Sequence, residues 1–396
     1  MPMNRSRSFF LTASLLLLLP IATGVLWSAV STDAEDDGDD SLYKYLSIFS
    51  EVFGLVRNNY VDATAPDELL SGALEGVGDA LDPFSALVPE GQLAEYERGQ
   101  TLSQKRSGLL LVKDHGIAYV LSVGERSPAA TAGIEQGDVL AELGGADTRD
   151  QPTWRLQRLL AGEPGEKIEA RIVRQGQPSL KTLELGDYAS LPPRLEESRG
   201  VPILRLARIE PGDAQLVRSL LQSLAEKRAP KLLLDLQGIG GGAADEAFAI
   251  AGLFAAGELG RLEGQGGDVR EFRSETPAVW SGELAVAVDG GTFGAAEILA
   301  AALEKRAGAK LVGLKTFGWA GEREFVELTG GARLHLTTAF YQGPDGTPIA
   351  GGLAPGVLVD DLPRGFGDND IPLDQRIRER ALDVLLGLDE STAKAA

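Results

Sequence analysis

The 396-residue sequence predicts a multidomain protein of mixed α+β and α/β class. Three consecutive stretches differ in their hydrophobic pattern. Residues 42–101 place apolar side chains at helical spacing, residues 102–187 contain short strands with one helix, and residues 188–396 alternate strands with helices. Such alternation predicts a sheet that helices cover on both faces. A chain of this length also accommodates two or three domains with a substantial core.

Residues 1–30 are predicted to be a signal anchor or a signal peptide, followed by an acidic linker over residues 31–41. Arg5 and Arg7 precede an almost continuous apolar run, Phe9–Val30. At about 1.5 Å per residue this run spans the roughly 30 Å core of a bilayer. The basic flank before it and the acidic flank after it predict an N-in, C-out orientation, with the rest of the chain on the outer side of the membrane.

A cleavable signal peptide is the competing interpretation. Ala29–Ser31 offers a possible cleavage site, although a poor one. In either case we expect export to a bacterial-type periplasm or cell surface. The protein would be held at the inner membrane by the N-terminal helix, or secreted after cleavage.

The composition excludes several classes of function. The net charge is −20 and the chain contains no cysteine and two histidines, His115 and His335. Nucleic acid is not an expected partner, since it requires a basic surface. Thiol chemistry, disulfides and cysteine-ligated zinc are excluded, and we expect neither a metal nor a cofactor.

Residues 102–187 contain a motif with a known structural context. Gly133–Leu140 reads G-I-x-x-G-D-V-L and follows S-P-A at Ser127–Ala129. This pattern resembles the PDZ domain, which binds the end of an extended chain by adding it as a strand. The resemblance implies a loop whose backbone N–H groups hold a terminal carboxylate and a helix that lines an apolar pocket. The loop residues are Gly108, Leu109, Leu110 and Leu111, and the helix residues are Leu156, Leu159 and Leu160. The alternative is a module that only packs against the core.

Two segments of the α/β region have the layout of an active site. In the first, DGGTFGAAEI at Asp289–Ile298, a strand runs through glycines into a helix. A helix N-terminus favours developing negative charge, so a nucleophile is normally presented from such a turn. The turn offers only Thr292, Phe293 and Gly294. The second segment is TFGWAGER, Thr316–Arg323.

These segments resemble the C-terminal processing (tail-specific) serine peptidases, which pair a PDZ domain with a ClpP/crotonase-like protease core. In that family the first segment reads roughly N-x-G-S-A-S-A-S-E-I, and its nucleophilic serine matches Gly294. The second reads T-F-G-K-G-x-V-Q, and its lysine base and orienting glutamine match Trp319 and Arg323. Matching back from LHLTTA at Leu334–Ala339 gives the same register.

A third segment, Lys231–Ala247, resembles the family's oxyanion-hole region. The resemblance implies oxyanion-like positions at Gly241 and Gly242, with Ala295 beside the nucleophile position.

The replaced residues cannot perform the family's chemistry. Glycine has no side chain, the indole of tryptophan only donates, and guanidinium stays protonated. The sequence therefore predicts a pseudoprotease that binds protein C-termini through its PDZ domain as a scaffold or regulator, with another protease or an envelope protein as a further partner. Two alternatives stay open: an active peptidase that uses Thr292 with Lys315 as a displaced nucleophile and base, and a structural envelope protein.

Overall fold

The computed structural model describes residues 37–62, 64–360 and 371–388. Contacts divide the chain into two compact units, Met1–Ala73 and Leu74–Ala396. The predicted anchor, Phe9–Val30, lies outside the described residues. Within the described ranges, no helix is both long and apolar enough to cross a bilayer.

Helices open the described chain, as the apolar spacing predicts. Helix α1 spans Asp37–Asn59 and helix α2 spans Pro66–Leu81. The division between the two units falls inside α2, after Ala73, and not at the end of the predicted helical region near residue 101. The second unit therefore includes the C-terminal half of α2 and everything after it.

The PDZ module is a small sheet with two helices. Its preceding elements are strand β1 (Ala86–Val88) and helix α3 (Leu93–Ser107), which crosses the predicted boundary at residue 102. The module then contains β2 (Leu109–Asp114), β3 (Ile117–Val123), α4 (Pro128–Thr131), β4 (Val139–Leu143), β5 (Ala146–Asp147), α5 (Thr153–Leu160), β6 (Lys167–Arg174) and β7 (Gln177–Glu184). Its strand order is β2-β3-β4-β6-β7, with β5 beside β4. Strand β2 therefore forms one edge of the sheet.

The remaining residues form the α/β core. In chain order its elements are β8 (Arg194–Ser198), β9 (Val201–Arg205), α6 (Asp213–Glu226), β10 (Lys231–Asp235), α7 (Ala244–Ala251), β11 (Gly257–Gly264), β12 (Val269–Ser274), β13 (Glu283–Val288), α8 (Ala295–Arg306), β14 (Lys310–Gly313), β15 (Gly321–Glu327), β16 (Arg333–Gln342), β17 (Val357–Leu358) and α9 (Leu373–Leu386).

The central sheet has the order β17-β14-β13-β10-β9-β8 and is parallel except for β8. Buried residues of α6, α7 and α8 pack on one face, and those of α9 pack on the other. The prediction of a sheet covered on both faces is therefore confirmed. A second, antiparallel sheet combines β1, β11, β12, β15 and β16.

The parallel arrangement brings together the turn that follows β10 and the turn that follows β13. Strands β10 and β13 are neighbours in register, with Asp235 opposite Ala287, so their carboxyl ends meet at one edge. The turns that follow these strands pair directly, since Gly240 bridges to Phe293. Open α/β sheets place their functional sites at such an edge.

A single buried carboxylate ties the start of α8 to the second active-site segment. Glu297 is fully buried in the first turn of α8, and its oxygens accept hydrogen bonds from the backbone N–H groups of Gly294 (3.1 Å), Gly318 (2.7 Å) and Trp319 (3.1 Å). The hydroxyl of Thr316 donates a fourth bond at 2.5 Å. Burial raises the pKa of Glu297 to about 7, against the opposing effect of these four donors. The segment Thr316–Trp319 thus depends on one side chain for its position.

We predict that Glu297→Ala lowers the free energy of unfolding by about 3 kcal/mol or more, because it leaves several buried donors without an acceptor. Urea unfolding measures this. The matched control is Glu304→Ala on the same helix, which removes a partly exposed carboxylate whose ion-pair partner among the described residues is Lys305 and should cost about 0.5 kcal/mol or less. Equal losses in the two variants would contradict the role given to Glu297.

Candidate active site

The three positions that match the family's catalytic residues surround one cavity. Gly294, Trp319 and Arg323 all line a cavity of about 380 Å³ between strand β2 of the PDZ module and the α/β core, which we call the main cavity because it contains all three positions. The predicted register therefore gives a set of positions that are close in space, although their side chains differ from those of the family.

Gly294 lies in the turn that the sequence predicts to be the nucleophile turn. It lies at the N-cap of α8 with φ 62° and ψ −114°, a conformation that L-residues rarely adopt. A Cβ atom built here would meet only the Cα of Gly241, at 3.6 Å. The site thus has room for a side chain at the nucleophile position, and the sequence supplies none.

Two of the three predicted oxyanion-like donors are free. Among the described residues, the backbone N–H groups of Gly242 and Ala295 have no hydrogen-bond acceptor, whereas Gly241 donates to the carbonyl of Phe293 at 3.3 Å. Gly242 has φ 137°, and a Cβ there would lie 2.5 Å from the Ile209 carbonyl oxygen. Its glycine identity is therefore required by close backbone packing.

Trp319, at the position of the family's lysine, is part of an aromatic cluster. Its ring lies 4.3 Å from that of Phe84 and is stacked on Phe293 with centroids 5.5 Å apart. Phe317 contacts both phenylalanines edge-on. The indole Nε1 is buried and has no hydrogen-bond partner among the described residues. Trp319 thus contributes apolar packing at this position, and its buried ring nitrogen is a donor and not a base.

The aromatic cluster also joins the PDZ module to the core. Leu110 and Val112 of β2, with Leu121 of β3, pack in the same apolar cluster as Phe293 and Trp319. The contacts of Phe84 and Phe293 with Trp319 and with the PDZ module were not predicted from the sequence. The signal that could have indicated these contacts is the presence of an aromatic residue in each of the segments that meet here: Phe84, Phe293, Phe317 and Trp319.

Arg323 lies at the edge of the same cluster. Its guanidinium donates to the carbonyl of Phe84 at 3.0 Å and lies 5.9 Å from the centroid of the Trp319 ring. It also interacts with the hydroxyl of Tyr96, which lies 2.6 Å from Nδ1 of His335. Burial and the positive charge of Arg323 lower the pKa of His335 to about 4, so this imidazole is neutral near pH 7.

The structure does not support the alternative in which Thr292 and Lys315 act as a displaced nucleophile and base. Thr292 is fully buried, and its hydroxyl bonds to the carbonyl of Leu236 (3.0 Å) and to Oδ1 of Asp289 (3.1 Å). Lys315 is exposed. Neither residue lines the main cavity, because the turn directs Thr292 into the core. The hydroxyl of Thr292 is therefore not accessible to a substrate in the main cavity, and Lys315 is not in that cavity to serve as a base.

The structure also corrects the expected lining of the PDZ groove. Four of the six predicted leucines are fully buried within the module's own core: Leu109, Leu111, Leu156 and Leu160. Leu159 packs partly buried against the same core, and Leu110 faces the main cavity. The periodicity of α5 points Leu156 and Leu160 inward and leaves Thr153 and Gln157 beside the cavities, which the leucine positions alone did not predict.

The carboxylate-binding loop is partly occupied by helix α3. The N–H group of Gly108 donates to the carbonyl of Gln104 at 2.8 Å, and that of Leu109 donates to Oγ of Ser107 at 3.0 Å. Two of the four predicted loop donors are therefore engaged by the last turn of α3. The role of this loop in binding a carboxylate stays a prediction.

Comparison with known proteins agrees with this architecture. A profile of Peptidase family S41 matches residues 200–359, and a PDZ domain profile matches residues 119–174. A solved structure described as photosystem II D1 C-terminal processing protease superposes with a TM-score of 0.65 at 23% identity, covering 79% of this chain and 92% of that one. The predicted fold, a PDZ domain with a mixed α/β protease core, is confirmed.

Several curated relatives align along most of the chain. The carboxy-terminal-processing protease of Bartonella bacilliformis is 26% identical over 92% of this chain and 84% of its own length. The carboxyl-terminal-processing protease of Synechocystis is 29% identical over 84% of this chain and 78% of its own length. The carboxy-terminal processing protease CtpA of Bacillus subtilis is 24% identical over 75% of this chain and 65% of its own length. With both domains matched in order, the chain contains a PDZ domain and a Peptidase family S41 domain and is similar along most of its length to C-terminal processing proteases.

Proposed function

We propose that this chain is an exported pseudoprotease that binds protein C-termini through its PDZ domain and acts as a scaffold or regulator. One observation carries the proposal. The positions that match the family's serine, lysine and glutamine surround one cavity and hold Gly294, Trp319 and Arg323, none of which supplies a nucleophile or a base.

The rest of the cavity offers no replacement. The described residues that line it include no lysine, aspartate or glutamate. His335 lines the cavity, but its Nδ1 is engaged by the Tyr96 hydroxyl and its low pKa makes it a weak base. Ser103 lines the cavity from helix α3, and it has no base of the kind that activates a serine hydroxyl.

The binding role depends on the free edge of the PDZ sheet. Strand β2 pairs with β3 on one side only, and its other edge lies beside helix α5, the arrangement that accepts an added strand. Strand addition needs no catalytic residue, so it is compatible with the altered site. Because α3 engages the N–H groups of Gly108 and Leu109, capture of a chain end requires the last turn of α3 to open.

Export and anchoring are part of the same proposal. The apolar run Phe9–Val30 between basic and acidic flanks supports an N-terminal membrane anchor with the PDZ module outside the cytoplasm. Relatives of the chain are named as proteases. A member without the catalytic residues would compete for, or deliver, the C-termini that an active protease processes.

We predict that Gly294→Ser alone gives no measurable hydrolysis of unfolded or tail-tagged substrates, since the new serine lacks a base. The triple variant Gly294→Ser, Trp319→Lys, Arg323→Gln restores all three groups and should show weak activity, because contributions within a catalytic unit are strongly non-additive. Product formation followed by mass spectrometry distinguishes these outcomes. Efficient cleavage by the wild type, or by Gly294→Ser alone, would contradict the proposal.

We also predict that peptides with a free C-terminal carboxylate bind more tightly than the same peptides amidated, by about tenfold, because the amide lacks the charge that the loop N–H groups recognise. Isothermal titration of the wild type with matched peptide pairs measures this ratio. Equal affinities for the two forms would remove the claim of C-terminal capture.

A further inference from the structure

The main cavity has an unusual charge for this protein. The chain has a net charge of −20, yet the described residues that line the cavity include two arginines, Arg208 and Arg323, and no acidic residue. Arg208 already has a carboxylate partner, since its Nε lies 3.1 Å from Oε1 of Glu210. Arg323 differs, because it forms no ion pair with any described residue.

Arg323 has guanidinium donors left to offer. One N–H group donates to the Phe84 carbonyl, and the other partners of the side chain are the Tyr96 hydroxyl and the Trp319 ring. All of these are neutral groups. A guanidinium has five N–H donors in a planar arrangement that matches a carboxylate in a bidentate manner. A partly buried arginine without a carboxylate is therefore prepared to receive one from a ligand.

The position of Arg323 connects the two cavities beside the PDZ strand. Besides the main cavity, it lines an outer cavity of about 270 Å³ that also contacts Lys113 at the end of β2 and Thr153 at the start of α5. Gln100 and Gln157 line both cavities and are hydrogen-bonded to each other. The acidic side chain in the outer cavity, Asp82, is engaged by the N–H groups of Phe84 and Ser85 and by the Ser85 hydroxyl.

A segment added along the free edge of β2 would pass these cavities. Strand residues advance by about 3.3 Å, so a chain laid from Leu110 to Lys113 runs about 10 Å past both openings. A carboxylate on such a segment would reach the main cavity, which has no acidic residue in its described lining and has the Arg323 guanidinium in its wall. The expected ligand is an extended peptide that carries a negatively charged carboxylate.

We propose that Arg323 binds a carboxylate of an extended peptide segment, either the chain end or an aspartate or glutamate side chain. The inference rests on the proposed function only in that the ligand is a peptide beside β2. The residue that replaces the family's orienting glutamine has, on this account, become a ligand-binding group.

The test uses the full chain and three acetylated hexapeptides of alanine and serine. The first has a free C-terminal carboxylate, the second is its amide, and the third is the amide with one central aspartate. Affinities are measured by isothermal titration for the wild type, Arg323→Gln and Arg323→Lys. Arg273→Gln is the matched control, because Arg273 is a half-exposed arginine of β12 that lines neither cavity.

We expect Arg323→Gln to weaken binding of at least one carboxylate-bearing peptide by about tenfold or more, as removal of a charge-assisted bond does. The affinity of Arg323→Lys for these peptides should lie between those of the wild type and Arg323→Gln, since lysine keeps the charge but not the planar pair of donors. The uncharged amide should bind all variants equally, and Arg273→Gln should match the wild type. A loss confined to the free-acid peptide assigns the site to chain ends, and a loss confined to the aspartate peptide assigns it to side chains.

The inference is overturned if Arg323→Gln stays within twofold of the wild type on both carboxylate peptides. It is also overturned if the uncharged amide loses affinity equally, or if no carboxylate peptide binds the wild type. A preference for the free acid that survives Arg323→Gln would leave C-terminal capture standing without Arg323. Arg323-dependent binding of the aspartate peptide with no preference for a free end would support the role of Arg323 and contradict the proposed capture of C-termini.

Discussion

The geometry of the altered site depends on the buried carboxylate of Glu297. It accepts hydrogen bonds from the turn that precedes α8 and from the segment Thr316–Trp319, so two stretches separated in sequence are held in one arrangement. This bond set does not involve the side chains at the three matched catalytic positions. It therefore holds Gly294 in a strained turn conformation and Trp319 beside the cavity.

On the proposed match, Trp319 provides apolar packing where the family carries a polar catalytic group. A lysine in the place of Trp319 would stand against the rings of Phe84 and Phe293, where an uncompensated charge is costly. Tryptophan instead extends an apolar contact that includes Leu110 and Val112 of the PDZ module. The proposed replacement of the catalytic lysine by Trp319 would thus also add an apolar contact between the PDZ module and the core.

Sequence reasoning predicted the parts of this protein that depend on local patterns. Alternating strands and helices indicated a sheet covered on both faces, and the ungapped register placed Gly294, Trp319 and Arg323 around one cavity. It failed where the outcome depends on which face of an element is buried. The leucines of α5 point into the module's core, and Thr292 points away from the cavity, because helix phase and turn geometry decide orientation. The role of Glu297 was also missed, although a glutamate three residues after an N-cap is a known capping signal.

The absence of an activated nucleophile is tested most directly by intact-mass measurement after incubation with a fluorophosphonate, which reacts with activated serine and threonine hydroxyls. An active serine peptidase treated in parallel serves as the control for labelling. We expect no mass increase for the wild-type chain under conditions that label the control completely. A stoichiometric adduct that maps to Ser103 in the main cavity, or to the buried Thr292, would contradict the proposed absence of an activated nucleophile.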